Sequence, residues 1–137
     1  TITIEIPELN VKQTIAGNDQ DTIKFTLKPK NLKKWHPNQP KVYEVLLTSG
    51  QDTLKDKIGF KTIEVQQTKI LLNGKPIFLK GICLHEEIGS VPRRAFSKQD
   101  ALQLLVLAKD MGANMVRLAH YPHNEWMARV ADSLGIM

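Results

Sequence analysis

Cysteine is nearly absent from this chain of 137 residues, which holds one, Cys83. That excludes an internal disulfide and any zinc site built from several thiolates. Long apolar runs are missing as well. None approaches the roughly 18 residues of a membrane-crossing helix, so no membrane partner is expected. The opening "TITIEIPELN" has neither the basic cluster nor the apolar run of a signal peptide. It also lacks an initiator Met and begins inside a strand-like alternation, while "ADSLGIM" stops as an apolar run begins. Both ends therefore lead us to expect a piece of a longer protein. Internal repeats and low-complexity tracts are absent too. None of this fixes the compartment.

What is present reads as ordinary globular protein, with 42% hydrophobic and 24% charged residues. The net charge of +5 comes mainly from Lys. A nucleic-acid footprint would be a basic patch or stripe. The lysines are instead scattered, and the densest stretch, "KPKNLKK", sits beside Pro, Asn and Trp in a loop-like segment. A solvated face is the reading adopted, with no nucleic-acid partner. Cys83 lies in the apolar run "FLKGICL", where a buried structural thiol is expected.

Two halves differ in period. Up to about Val65 the pattern is β: "TITIEI", "VKQTI", "TIKFTL", "VYEVLLT" and "TLKDKIGFKTIEV" are rich in Val, Ile, Thr and aromatics. The turn-forming stretches "AGNDQD", "KPKNLKKWHPNQP" and "TSGQD" separate them. Strands with no helix between them predict an antiparallel Ig-like sandwich, incomplete because such a sandwich needs about seven strands. Trp35 is expected to anchor its loop by packing, and His36 to be a loop residue. In "KILLNGKPIFL", Asn73-Gly74 between apolar runs predicts a hairpin with a type I′ turn. Pro76 marks an edge or a strand start.

Beyond Gly81 the period becomes helical. Ser97 with Asp100 three residues on predicts a capped helix start. Leu104, Leu105, Ala108 and Met111 share one helical face. Leu102, Val106 and Leu107 widen it, so a well-buried helix is expected, with Gly112 at its C-terminal stop. "NMVRLA" reads as a short strand. A second helix is expected from about Asn124 to Leu134, with Met127, Val130, Ala131 and Leu134 inward and Gly135 as its stop. "GIM" would open a further strand. A β-α-β-α-(β) order implies a parallel sheet.

The polar residues fall at telling positions. The first parallel strand ends in His85-Glu86-Glu87, and the second carries Arg117 and ends at His120-Tyr121-Pro122. In α/β folds the C-terminal ends of neighbouring parallel strands are where ligands are met. Simple exit of each strand to solvent is the other reading, and it explains Glu87 well. It explains Arg117 poorly, because an Arg between Val116 and Leu118 needs a carboxylate or a wet cavity. His120 and His123 do not have the helical spacing of a zinc pair, and no third ligand is evident, so no metal is assigned. Asn124-Glu125 reads as a helix cap and a first-turn carboxylate.

The segments "KIGFKTIEV", "ILLNGKPIFLKGICLHEE" and "VRLAHYPHNEWMARVADSLGI" together resemble glycoside hydrolase family 2, the family of β-galactosidases, β-glucuronidases and β-mannosidases. "WHPNQPKVYEVLLT" is similar to the family's Trp-Ser-Pro-x-x-Pro-x-Leu-Tyr segment, with His36 in place of Ser. The resemblance covers nearly the whole chain. It implies a multi-domain protein, with residues 1–66 the C-terminal portion of an Ig-like sandwich. Residues 67–137 would be the start of a TIM (β/α)8 barrel, reaching the beginning of its third strand. It also implies a retaining exo-β-glycosidase acting on an oligosaccharide or glycoside, β-galactosides first, then β-glucuronides or β-mannosides. The mechanism would use two glutamates, both expected beyond Met137, so no catalytic residue is assigned here. His85, Glu86, Arg117 and His120 are the implied substrate-site residues. Arg117 would stand near the nucleophile, His85 and His120 near the sugar, and Glu86 would bind sugar or hold His85. Arg93 or Arg94 would line the pocket or its rim. No cofactor and no metal are implied, and a homo-oligomer is left open. Without the two catalytic glutamates these residues alone are expected to be inactive, and because a barrel takes about 250 residues, the incomplete barrel piece is expected to associate. The alternative is a non-catalytic Ig-like carbohydrate-binding or linker module.

Overall fold

The Ile/Thr alternation at the N-terminus builds β1 (Ile2–Ile6), and a 3-10 turn at Pro7–Leu9 returns the chain into β2 (Val11–Ile15). Asn10 makes that reversal with φ 51°, a left-handed conformation that Asn tolerates. Strands β3 (Tyr43–Ser49) and β4 (Asp52–Ile58) form a hairpin that turns at Gly50, φ 58°. All pairings are antiparallel, in the order β2-β1-β3-β4. The computed structural model describes residues 1–16, 22–89 and 91–137. It divides into two compact units, Thr1–Lys33 with Val42–Gly59, and Lys34–Lys41 with Phe60–Met137.

In the first unit one expectation fails. "TIKFTL" (22–27) alternates in exposure as a strand would, yet it joins no ladder among the described residues. Alternation records a half-buried extended chain, and a strand also needs a neighbour. Most of the expected turn "AGNDQD" lies outside the described residues. The single strand read in "TLKDKIGFKTIEV" is two, β4 and β5 (Ile63–Gln66), which lie in different units.

The second unit opens with a three-stranded meander, β5, β6 (Lys69–Leu72) and β7 (Lys75–Pro76). Asn73 (φ 54°) and Gly74 (φ 80°) are both left-handed, as a type I′ turn requires. Pro76 sits on the edge strand, where its missing N–H breaks no ladder. Strand β8 (Gly81–Leu84) follows, then a small antiparallel pair β9 (Glu87–Ile88) and β10 (Arg93–Arg94). Helix α1 (Lys98–Asp110), strand β11 (Met115–Leu118) and helix α2 (Glu125–Leu134) complete the unit.

The core lies between the helices and the β8–β11 pair. Ala101, Leu105 and Ala108 of α1 meet Met127, Val130 and Ala131 of α2, with Ile82, Leu84, Val116 and Leu118 packed against them. Ser97 accepts from the Asp100 N–H at 3.2 Å while Asp100 accepts from the Ser97 N–H, a complete capping box. The buried stripe of α1 is narrower than expected. Leu102, Val106, Leu107 and Met111 are exposed, Met111 by 71%. The sheet and α2 cover one side of α1, and the flanking positions lie at the edge of that cover or beyond it. Met137 continues the sheet beside β11, exchanging backbone hydrogen bonds with Asn114 and Val116 (2.9 and 2.8 Å).

Trp35, fully buried, anchors the 34–41 segment to α2. Its Nε1 donates to the Asp132 carbonyl at 2.7 Å, and the Lys61 ammonium lies 4.4 Å from its ring centroid. Lys61 also pairs with the Asp132 carboxylate at 2.9 Å.

Candidate active site

Strands β8 and β11 are parallel, with Ile82 opposite Val116, Cys83 opposite Arg117 and Leu84 opposite Leu118. Alternation divides these residues between two faces. Ile82, Leu84, Val116 and Leu118 pack against the helical core. Cys83 and Arg117 fall on the other face and are exposed. The buried thiol expected at Cys83 is therefore not found, because the apolar run is two-faced. Among the described residues no carboxylate pairs with Arg117.

At the C-terminal ends of both strands the chain emerges into an aromatic cluster. Ala119 takes φ 40°, a strained left-handed value for a residue with a Cβ, and the chain turns there into His120 and Tyr121. The rings of His85, His120 and Tyr121 form a near-equilateral triangle with centroid separations of 5.6, 5.7 and 5.7 Å. Both histidines are exposed. The Tyr121 hydroxyl accepts from the Glu86 N–H at 2.9 Å and lies 3.4 Å from His85 Nδ1.

Glu86 behaves differently from its neighbours. Its side chain has no exposure. Oε2 accepts from Arg94 Nε at 2.5 Å, and Oε1 accepts from the backbone N–H of Asn124, the residue that caps α2. A carboxylate there also faces the positive end of the α2 dipole. Arg94 reaches further, with Nη2 donating to the Pro122 carbonyl at 2.5 Å and its guanidinium over the Tyr121 ring. Arg93 turns to α1, where it forms a two-pronged pair with Asp100, both contacts 2.8 Å. That pair holds the Asp100 carboxyl well below the usual carboxylate range.

His123 stacks on Tyr121 at 4.8 Å and is almost wholly buried, with Nδ1 3.8 Å from Glu86 Oε1. Neither ring nitrogen has a hydrogen-bond partner among the described residues. Burial pushes its pKa down, against the attraction of Glu86. No group of three or more His, Cys, Asp or Glu among the described residues could hold a metal ion. A pocket of about 350 Å³ opens beside the cluster, lined by Glu86, Glu87, Arg94 and Tyr121.

Of the sequence-derived site residues, His85 and His120 come together and Arg117 stands on the open face of their strands. Glu86 lies inside. Of the two arginines expected at the pocket or its rim, Arg94 lines the pocket and Arg93 turns away to Asp100. The tie of Arg94 to Glu86 and the roles of Tyr121 and His123 were not read from the sequence. In the structure the β9–β10 pairing sets Arg94 opposite Glu87.

The sequence profile of "Glycosyl hydrolases family 2, TIM barrel domain" matches residues 63–137, more than half of the chain. The chain belongs to glycosyl hydrolase family 2. Within that family it is 41% identical over 87 residues to a beta-glucuronidase of Streptococcus agalactiae, covering 64% of this chain and 14% of that protein. It is 29% identical over 134 residues to a beta-galactosidase of Actinobacillus pleuropneumoniae, covering 96% and 13%. Among solved structures, a GH2 beta-galacturonidase from Eisenbergiella tayi superposes with a TM-score of 0.81 at 28% identity, over 99% of this chain and 25% of that one. The chain thus spans about one seventh of the length of these two curated relatives.

Proposed function

We propose that this chain supplies part of the sugar site of a retaining exo-β-glycosidase, with β-galactosides and β-glucuronides the first substrates and β-mannosides next. In this reading residues 1–66 close an Ig-like sandwich and residues 67–137 open the catalytic barrel. The observation that carries it is the meeting of His85 and His120, exposed at 5.6 Å between rings, at the C-terminal ends of two parallel strands. Imidazoles that donate and accept at such a rim suit sugar hydroxyls. Arg117, exposed on the same two-stranded surface, suits a carboxylate. A cation there keeps a glutamate ionised, which the nucleophile of a retaining enzyme needs.

A retaining enzyme places two carboxyls about 5–5.5 Å apart. Glu86 has both oxygens engaged, and Glu125 pairs with Arg129 on the α2 surface at 3.3 Å. We therefore assign nucleophile and acid/base to parts of the protein outside these residues, which alone are expected to be inactive. The test offers chromogenic β-galactosides, β-glucuronides and β-mannosides to the whole protein and follows the anomeric configuration of the product. Cleavage with retention is expected, and Arg117→Ala should lower kcat/KM by about 10²-fold or more. Absence of any cleavage, or an inverted product, overturns the reading.

A further inference from the structure

Two carboxylates are buried among the described residues, Glu86 and Asp100. Asp100 caps its own helix. Glu86 has no helix of its own and sits in the loop after β8, beside His85. We propose that Glu86 is a positioning residue, which fixes His85 and, through Tyr121, His120 at the site without touching the sugar. This rests on the glycosidase reading above.

Glu86 is tied from four directions. Its carboxylate takes Arg94 of β10 and the Asn124 N–H at the start of α2. Its own N–H donates to Tyr121, and its carbonyl accepts from the Ala95 N–H at 2.9 Å. Two other segments, residues 94–95 and 121–124, therefore converge on this one residue. Its immediate neighbour is His85, and the Tyr121 ring it holds is 5.7 Å from both His85 and His120. Glu86 helps to line the pocket, but with no side-chain exposure its carboxylate presents no open surface to a hydroxyl there. Burying an ion is costly unless every oxygen is satisfied, and here the satisfying donors are Arg94 of β10 and the Asn124 N–H, which ends the loop that carries His120 and Tyr121. A supporting shell of this kind is what holds site residues in a working geometry. Arg94 serves the same purpose, bridging Glu86, Pro122 and the Tyr121 face.

The experiment compares the whole protein with its Glu86→Gln and Arg94→Ala variants. Substrates are a nitrophenyl β-glycoside that the protein cleaves and the monodeoxy analogues of that sugar. Competent sites are counted by trapping the glycosyl-enzyme with a fluorinated glycoside, so unfolded molecules do not enter the rate. Gln offers one oxygen to two donors, and kcat/KM per competent site should fall about 10²-fold, the scale of a small misplacement. The same factor should hold on every deoxy analogue. The double variant should be no worse than the poorer single one, as for residues acting as a unit. A loss that vanishes on one deoxy analogue shows Glu86 gripping that hydroxyl and overturns the proposal. So does an unchanged rate per competent site, which would leave Glu86 with folding alone. If Glu86→Gln does not fold, Arg94→Lys, which keeps the charge, carries the same comparison with a smaller loss. A wild-type protein that cleaves no β-glycoside removes the underlying reading, a failure distinct from both patterns.

Discussion

Gly135 and Gly112 both end helices in the left-handed conformation, with φ 75° and 78°, but their surroundings differ. A Cβ on Gly112 meets nothing within 4 Å, whereas one on Gly135 would stand 2.2 Å from the Pro37 carbonyl oxygen and 3.0 Å from its carbon. Pro37 is buried in the segment that Trp35 anchors, so backbone rather than a mobile side chain would have to move. For Gly112→Ala the left-handed strain of about 1–2 kcal/mol is partly offset by the stiffer unfolded chain, about 0.4–1 kcal/mol. The net loss is about 1 kcal/mol. Gly135→Ala carries the same strain plus an overpacking penalty of about 1–3 kcal/mol, for a total of about 2–4 kcal/mol. Urea unfolding of the two variants, with the slope checked for constancy, measures the difference. Equal losses at the two positions would refute the close approach of residues 37 and 135.

Burial holds the His123 imidazole below its ordinary 6.5. The unfolded chain therefore binds more protons there than the folded one between 6.5 and the depressed value. Stability should be full above pH 6.5 and decline as the pH falls through that window, and His123→Phe should flatten this slope in a pH series of melting midpoints. Trp35→Phe removes the donor to the Asp132 carbonyl and should cost about 1–3 kcal/mol in urea unfolding. Glu125→Gln in the whole protein should leave turnover largely intact, because that carboxylate is exposed and pairs with Arg129; a loss of about 10³-fold, the scale of a lost transition-state contact, would show that it acts in the reaction.

Features that depend on near neighbours were legible before the fold was known. Ser97 with Asp100, Asn73-Gly74, Gly112 and Gly135 each speak within a few residues, and each marks the element end that the structure shows. The parallel pairing of β8 and β11 followed from the change of period. Residues whose roles depend on distant partners were not legible. Arg94 is defined by Glu86 and Pro122, and His123 by Tyr121. Cys83 looked buried because its neighbours are apolar, and only the pairing with β11 shows which face it takes. "TIKFTL" failed for the same reason: alternation is local, and a ladder is not.

The hairpin turn at Asn73-Gly74 has a consequence for chemical ageing. Asn followed by Gly is prone to deamidation, because little hinders attack of the next amide nitrogen on the side-chain carbonyl. Here the side chain is held at both ends, its oxygen accepting from the Thr62 N–H at 3.1 Å and its nitrogen donating to the Trp35 carbonyl at 2.9 Å. The folded turn restrains the reaction, and opening releases it. Conversion to Asp would take away the donor to Trp35, loosening the seat of a fully buried indole. Time spent unfolded thus accumulates as a covalent record at residue 73, and each molecule so converted unfolds more easily.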